Sequence, residues 1–148
     1  MRFIFIDEVT SISNDSITGN KYVSLNEDIF RDHFPEQPVL PAALLTESII
    51  QLSRIFTWMN SEYQYSLIPI KFERLKFLRM VGPANIIKVE LSFNPTDNED
   101  NVKVKAKIKS GETDLVSEGS IVFQKVNFAS IHRIEACKSL VGILTKNL

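Results

Sequence analysis

Hydrophobic and polar residues alternate along two stretches in the second half of the chain, residues 87–93 and 102–109. Apolar residues at every second position lie on one face of a β-strand, so both stretches predict half-buried strands. In the second stretch the polar positions are all lysine, which is typical of a solvated strand face and discourages edge pairing. These lysines are Lys103, Lys105, Lys107 and Lys109. The acidic segment between the two stretches predicts an exposed loop.

Other segments have the β-branched and aromatic composition of strands. They are residues 16–25, 66–79 and 115–125, preceded by a short strand or extended lead-in over Arg2–Asp7 and Val9–Ile12. In 66–79 the apolar positions change phase near Glu73 and Arg74, which predicts a bulge or bend. The pair Gly19-Asn20 indicates a tight turn or a bulge. Asn26 is predicted to cap a short helical turn that follows it.

Residues 41–59 follow a different pattern, because they carry few charges and the helix they predict is apolar on nearly all sides, as in a buried helix. Pro35, Pro38 and Pro41 precede this stretch and hold the chain out of helical geometry, yet proline is well tolerated at the first helical position. The helix is therefore predicted to begin at Pro41 and to continue to about Met59. Its uncharged run is shorter than the roughly 20 residues of a membrane span, which favours a protein core.

Glu47 is the only formally charged residue between Val39 and Ser53. A carboxylate among apolar side chains is costly to ionise unless it is paired, so we expect its protonated form to be favoured. A hydrogen bond to Gln51, one turn further along the same helix face, would explain the position of Glu47 without a catalytic role. That explanation leaves open why a histidine and an uncapped helix start lie just upstream.

One long helix with a couple of strands before it and a run of antiparallel strands after it indicates a single α+β domain. A curved antiparallel sheet wrapped around the helix would bury most of it, and the uncovered part predicts a dimer joined edge to edge. Residues 1–127 are predicted to form this unit. Residues 128–148 are a C-terminal extension of the same domain, with a helix from about Ile131 to Thr145. His132 is expected to be a surface residue and Trp58 a core residue.

The composition excludes several classes of function. Lys and Arg number 17 against 18 Asp and Glu, so the chain lacks the basic excess of a nucleic-acid-binding protein. The single cysteine, Cys137, cannot form an internal disulfide, and no Cys/His spacing of a metal site is present. The N-terminal apolar run is too short for a signal peptide, so we expect a reducing, cytoplasmic environment without a membrane.

The proline-rich segment begins with His33-Phe34-Pro35 and leads into the helix that carries Glu47 and Gln51. The order His-Phe-Pro-x-x-Pro-x-x-Pro-small-x-Leu-x-x-Glu-x-x-x-Gln resembles the active-site signature of the β-hydroxyacyl-(acyl carrier protein) dehydratases of bacterial fatty acid synthesis. Residues 76–85 resemble the second block of that family, Lys-Phe-x-Arg-Pro-Val-x-Pro-Gly-Asp. The resemblance extends over residues 2–124 and implies a hotdog fold, a curved antiparallel sheet around one central helix.

The resemblance also implies a reaction, the removal of water from a 3-hydroxyacyl thioester to give the trans-2-enoyl thioester, with no metal or redox cofactor. The substrate is expected on acyl carrier protein. By this resemblance His33 is the base at the α-carbon, Glu47 the acid at the departing hydroxyl, and the backbone amide of Ala42 the oxyanion donor, while Gln51 supports the acid. Similar proteins combine the histidine of one subunit with the acid of the other. A homodimer or higher even oligomer is therefore implied, or a heterodimer with a related subunit.

The chain departs from the family pattern near this site. Glu36 stands where glycine is usual, and it would be strained if that position required a positive φ. Ala42 replaces the glycine of the helix start, and Met80, Ala84 and Asn85 replace proline, glycine and aspartate. These departures suggest a divergent member in a specialised lipid or polyene pathway. Two alternatives stay open: a non-catalytic subunit or acyl-binding module that pairs with an active homologue, and a hotdog thioesterase, which the histidine–acid spacing disfavours.

Overall fold

The computed structural model describes residues 4–148, which form one six-stranded antiparallel sheet and two α-helices. In chain order these are β1 (Glu8–Ile12), β2 (Ser16–Val23), α1 (Ala42–Asn60), β3 (Tyr65–Phe77), β4 (Asn85–Pro95), β5 (Asn101–Ser110), β6 (Asp114–Asn127) and α2 (Ile134–Leu144). Short 3₁₀ helices cover Asp28–Arg31 and Phe128–Ser130. The order across the sheet is β1-β2-β4-β5-β6-β3, so β1 and β3 are its edges.

The helix α1 packs against four strands, β2, β3, β4 and β5, and the sheet curves around it. This is the hotdog arrangement that the resemblance implies. Ile49 and Leu52 face the sheet and are fully buried. Glu47, Gln51 and Arg54, spaced one turn apart, form a half-buried polar stripe on α1. The predicted bounds of α1 are accurate to one residue, with Pro41 as the N-cap.

The predicted lead-in, strands and C-terminal helix are present, with shifts of one to three residues at their ends. Of the lead-in, residues 2 and 3 lie outside the described part of the chain, and residues 4–7 belong to no helix or strand. None of the helices within residues 4–148 is long and apolar enough to cross a membrane.

The bulge predicted from the change of phase in β3 is confirmed. The register between β3 and β6 shifts between Glu73 and Lys76, and Arg74 has a φ of 52°. At this point the backbone of β3 passes directly over Gly119 of β6. A Cβ on Gly119 would lie 2.8 Å from both Arg74 O and Leu75 N, so only glycine fits. The bulge of one edge strand is thus matched to a glycine in its neighbour.

Two local predictions in the first third of the chain are wrong. Gly19-Asn20 forms no turn, because β2 pairs with β4 without interruption, and the bulge lies instead in β1, between Val9 and Ser11. A Cβ on Gly19 would lie 2.9 Å from Glu8 O, so this glycine permits the close approach of β1. Asn26 does not cap the short helix that follows it, because this 3₁₀ helix has Glu27 at its N-cap and no side-chain cap.

The C-terminal segment is anchored to the end of α1 by a chain of polar contacts that is buried at Trp58 and Ser66 and half-buried at His132. Trp58 Nε1–H donates to Ser66 Oγ at 3.0 Å, and Ser66 Oγ lies 2.9 Å from His132 Nε2. The imidazole also packs against the rings of Trp58 and Phe128, at centroid distances of 5.0 and 5.2 Å. The expectation that His132 is a surface residue is therefore wrong, because the segment between β6 and α2 folds back against α1.

We predict a pH-dependent loss of stability at His132. Burial, and to a smaller extent the charge of Arg54, lower the pKa of His132. Because the pKa in the folded state lies below the unfolded value of about 6.5, the contribution of neutral His132 is complete above that pH and is lost as the pH falls. The free energy of unfolding, measured with urea at a series of pH values, should decline more steeply below about pH 6.5 in the wild type than in His132→Gln. Glutamine keeps an acceptor for Ser66 but does not titrate, and equal slopes would contradict the prediction.

Candidate active site

A short hydrogen-bonded loop carries His33. The carbonyl of Ile29 in the 3₁₀ helix accepts from the backbone amide of His33 at 3.1 Å. The next four residues form a turn that closes in both directions, with distances of 3.3 and 3.2 Å between the amides and carbonyls of Phe34 and Gln37. Val39 N–H then donates to His33 O at 2.9 Å. The prolines of this loop keep it out of helical geometry until α1 begins.

The imidazole of His33 has a defined hydrogen-bonding state. Its Nδ1 lies 2.8 Å from Val39 O, and a carbonyl oxygen only accepts hydrogen bonds. Nδ1 therefore carries the proton in neutral His33, and Nε2 has the free lone pair. The ring is half-buried and stacks on Phe34 at a centroid distance of 4.4 Å. This arrangement presents Nε2 as a base.

The start of α1 offers free amide donors close to this loop. Pro41 is the N-cap and supplies no side-chain hydrogen bond, while its carbonyl accepts from Leu44 and Leu45. Within residues 4–148 the amide of Ala42 donates to no protein group, and the residue is exposed. Amides in the first turn of a helix point toward the positive end of its dipole. The Ala42 amide is thus suited to an oxyanion.

Glu47 belongs to a bridge that reaches the N-terminal segment. Gln51 Nε2 donates to Glu47 Oε1 at 3.0 Å, the hydrogen bond predicted from their spacing. The other end of the same amide, Gln51 Oε1, accepts from Phe5 N at 2.8 Å. Because Phe5 N–H can only donate, it fixes which end of the Gln51 amide faces the acid. Glu47 lies roughly 7.5 Å further along the helix than Ala42, at 1.5 Å per residue.

The structure brings some of the predicted residues together within one protomer and not others. His33 and Ala42 are joined through the short segment Val39–Pro41, and Glu47 is joined to Gln51. Across residues 4–148, however, no hydrogen bond or ion pair links His33 to Glu47. His33 and Glu47 therefore share no hydrogen bond or ion pair within the described part of one chain.

Two residues of the segment 76–85, Val81 and Gly82, contact the loop that carries His33. Leu40 N–H donates to Val81 O at 2.7 Å, and the backbone of Gly82 lies against Pro38 O. Of the departures from the family pattern, Glu36 is not strained, because the turn at Phe34 and Gln37 needs no left-handed residue. Ala84 is the residue that adopts a positive φ, 63°.

Exposed apolar side chains surround the loop and continue along the free edge of the sheet. Near the loop, Phe34 and Met80 are 56% and 77% exposed. Along β3 and just after it, the exposed apolar residues are Ile68, Ile70, Phe72, Phe77 and Leu78. Within the described residues β3 pairs with a strand on one side only. An unpaired strand edge with apolar side chains marks an interaction surface.

The sequence motifs pointed to the side chains of His33, Glu47 and Gln51 but not to their backbone partners. The carbonyl of Val39 and the amide of Phe5 set the orientation of His33 and Gln51. Backbone groups have no residue-type signature, so no pattern in the sequence could identify them. The proline spacing predicted only that the loop is rigid.

Residues 1–125 match the family of FabA-like domains, which is more than half of the chain. The chain belongs to this family. The predicted membership is therefore confirmed, and the family match ends before α2. Among the relatives of this FabA-like chain, the 3-hydroxyacyl-[acyl-carrier-protein] dehydratase FabZ of Lactobacillus helveticus is 31% identical over 109 residues, which cover 72% of this chain and 74% of the relative. The FabZ dehydratase of Acinetobacter baumannii is 36% identical over 95 residues, 60% of this chain and 65% of the relative.

Solved structures share the fold of this FabA-like protein at low sequence identity. The dehydratase heterocomplex ApeI:P of Xenorhabdus doucetiae has a TM-score of 0.62 at 17% identity, over 84% of this chain and 99% of that one. The thioesterase HI1161 of Haemophilus influenzae has a TM-score of 0.62 at 12% identity, over 85% and 82% of the two chains. Dehydratases and thioesterases share this architecture, so the likeness confirms the hotdog fold and leaves the reaction to be argued from the site.

Proposed function

We propose that the protein removes water from a 3-hydroxyacyl thioester carried by acyl carrier protein and forms the trans-2-enoyl thioester. The observation that carries the proposal is the state of His33, with Nδ1–H bound to Val39 O and Nε2 free, beside the open amides at the start of α1. The named relatives are dehydratases of this substrate class, which supports the same assignment here.

Each residue has a defined part in the proposed elimination. His33 Nε2 takes the proton from the α-carbon, and the electrons of that C–H bond form the new double bond. Negative charge that develops on the thioester oxygen is stabilised by the Ala42 amide. Glu47, which accepts from Gln51 through Oε1, donates a proton from Oε2 to the departing hydroxyl, and water leaves. Transfer of a proton from imidazolium to carboxylate through water restores the starting state.

The site is proposed to be complete only in a dimer. The free edge of β3, with its exposed apolar residues, would pair with the same edge of a second copy, since an isologous contact uses one patch twice. The stripe of α1 that contains Glu47 is only half-buried within one chain, and the proposed dimer would bring the second copy against it. His33 of one protomer then serves with Glu47 of its partner, which agrees with the absence of a hydrogen bond between them in the described part of one chain.

The departures from the family pattern bear on the pathway and the partner. Ala42 adds a methyl beside the proposed oxyanion amide, and Ala84 replaces a glycine two residues after Gly82, whose backbone lies against the histidine loop. From these two changes we propose a specialised lipid or polyene pathway as the setting. A related hotdog subunit in place of the second copy is the alternative partner.

The test follows 3-hydroxyacyl-carrier substrates of several chain lengths by ultraviolet absorbance of the enoyl thioester, by mass for the loss of one water, and by a thiol reagent. We expect enoyl product without free thiol, and a fall in kcat by roughly a thousandfold in His33→Ala and in Glu47→Ala. Release of free thiol in place of enoyl product would identify a thioesterase. Failure to turn over any chain length, together with tight binding to a homologous subunit, would identify a non-catalytic partner.

A further inference from the structure

Lys21 of β2 is a buried cation close to the segment that delivers His33. Lys21 is 7% exposed, and its Nζ lies 2.9 Å from Glu27 Oε1 and 3.3 Å from Asp7 Oδ2. A buried ammonium is costly unless it is paired, and here two carboxylates pair it. Neither the proposed reaction nor the motif that carries His33 uses these three residues.

The two carboxylates extend from Lys21 in different directions. Asp7 joins it to the N-terminal lead-in, where Asp7 Oδ2 also accepts from Tyr22 N at 2.7 Å. Glu27 joins it to the first 3₁₀ helix, because the carbonyl of Glu27 accepts the first hydrogen bond of that helix, from Phe30 N at 3.1 Å. Glu27 Oε1 accepts from Ser24 N as well, at 3.3 Å.

The 3₁₀ helix Asp28–Arg31 depends on such an anchor. It has four residues and no side-chain cap, and isolated 3₁₀ turns are weak. Phe30 fixes it on one side by entering the core. On the other side the ion pair of Lys21 with Glu27 holds its N-cap residue. The carbonyl of Ile29, inside this helix, binds the backbone amide of His33.

We propose that Lys21 is a positioning residue for His33, acting through Glu27 and the 3₁₀ helix to keep the imidazole in line with Val39 O. The path consists of contacts at 2.9 Å (Lys21 to Glu27), 3.1 Å (Glu27 to Phe30) and 3.1 Å (Ile29 to His33). A change in the contact between Lys21 and Glu27 would therefore move the backbone of His33. It would also disturb the hydrogen bond from His33 Nδ1 to Val39 O, which leaves the lone pair on Nε2. The two ion pairs of Lys21 have different effects. The pair with Glu27 positions the imidazole of His33, whereas the pair with Asp7 contributes to the stability of the fold.

The experiment compares Glu27→Ala with Glu90→Ala, a matched control at a second carboxylate–lysine pair, Lys109 Nζ to Glu90 Oε2 at 3.1 Å on the outer face of the sheet. Two readouts are used: kcat and KM with the carrier-bound substrate, and ¹⁵N NMR of the imidazole tautomers. The chain has 2 histidines, so His132→Gln assigns both signals. In Glu27→Ala we expect kcat to fall by roughly tenfold to a hundredfold at nearly constant KM, and the Nδ1–H tautomer of His33 to be partly lost. Glu90→Ala should change neither.

Two further variants separate positioning from folding. Glu27→Gln keeps an acceptor oxygen for Lys21 and should recover part of kcat relative to Glu27→Ala. Asp7→Asn should lower the melting temperature and leave kcat and the tautomer signal near wild type. The proposal is overturned if Glu27→Ala matches Glu90→Ala in both kcat and the His33 signal, or if Asp7→Asn lowers kcat as much as Glu27→Ala.

The kinetic readout rests on the proposed function, whereas the NMR readout does not. If the wild type turns over no substrate, the proposed reaction fails, and the tautomer of His33 in Glu27→Ala still decides the role of Lys21. If the wild type is active and the His33 signal is unchanged in Glu27→Ala, the positioning role alone fails.

Discussion

Mixing two inactive variants, His33→Ala and Glu47→Gln, is expected to restore about a quarter of the wild-type activity. Each variant alone should lose roughly a thousandfold in kcat, because each removes a proton-transfer group. Random reassociation makes about half of the dimers mixed. If the base and acid of a site come from different chains, a mixed dimer has one intact site and one site that lacks both groups. Because about half of the dimers are mixed and each has one of its two sites intact, about a quarter of all sites are active.

The measurement is the rate of enoyl thioester formation after unfolding and refolding an equimolar mixture, with native mass spectrometry to show that mixed dimers have formed. A mixture of His33→Ala with His33→Gln is the matched control, because both chains lack the same group and no site can be restored. Persistent inactivity of the first mixture, despite mixed dimers, would mean that base and acid act from the same chain.

Gly119→Ala is expected to be the most destabilising single substitution that the fold predicts. The new Cβ would lie 2.8 Å from Arg74 O and Leu75 N, and the φ of Gly119 is 157°, a region that residues with a Cβ rarely adopt. The opposing atoms are backbone, so they cannot move aside as the end of a flexible side chain would. We expect a loss of about 3 kcal/mol or more in the free energy of unfolding, measured by chemical denaturation.

Gly142→Ala is the matched control for this substitution. Gly142 lies in α2, and a Cβ there would meet nothing within 4 Å. Alanine favours a helix over glycine, so Gly142→Ala should be neutral or stabilising by up to about 1 kcal/mol. A similar small effect for both substitutions would show that β3 can move away from β6 without cost, and would refute the account of the bulge.

Regular periodicity allowed most of the fold to be predicted from the sequence. Alternation gave β4 and β5, the apolar run after Pro41 gave α1, and the change of phase at Glu73 gave the bulge in β3. The wrong predictions concern residues whose local structure depends on contacts with distant parts of the chain. Gly19 looks like a turn residue, yet its role is to admit β1, which is a property of the neighbouring strand.

The candidate site was only partly predictable for a similar reason. Fixed spacing identified His33, Ala42, Glu47 and Gln51, because these positions carry side-chain or helix-start signals. Strain at Glu36 would require a positive φ there, but among the positions that depart from the family pattern it is Ala84 that adopts one, since a φ value depends on the hydrogen bonds of its own turn. The anchor at Lys21 gave no signal, because one lysine in an alternating strand is indistinguishable from a solvated residue until the fold buries it.

The contact between Trp58 and the C-terminal segment has a practical consequence. The chain contains 1 tryptophan, and its indole is buried against His132 and bonded to Ser66. Tryptophan fluorescence of the unlabelled protein is therefore a signal from a single place, where the C-terminal segment packs against the end of α1. A red shift of emission that precedes the loss of β-sheet circular dichroism would report detachment of that segment before the rest of the fold opens.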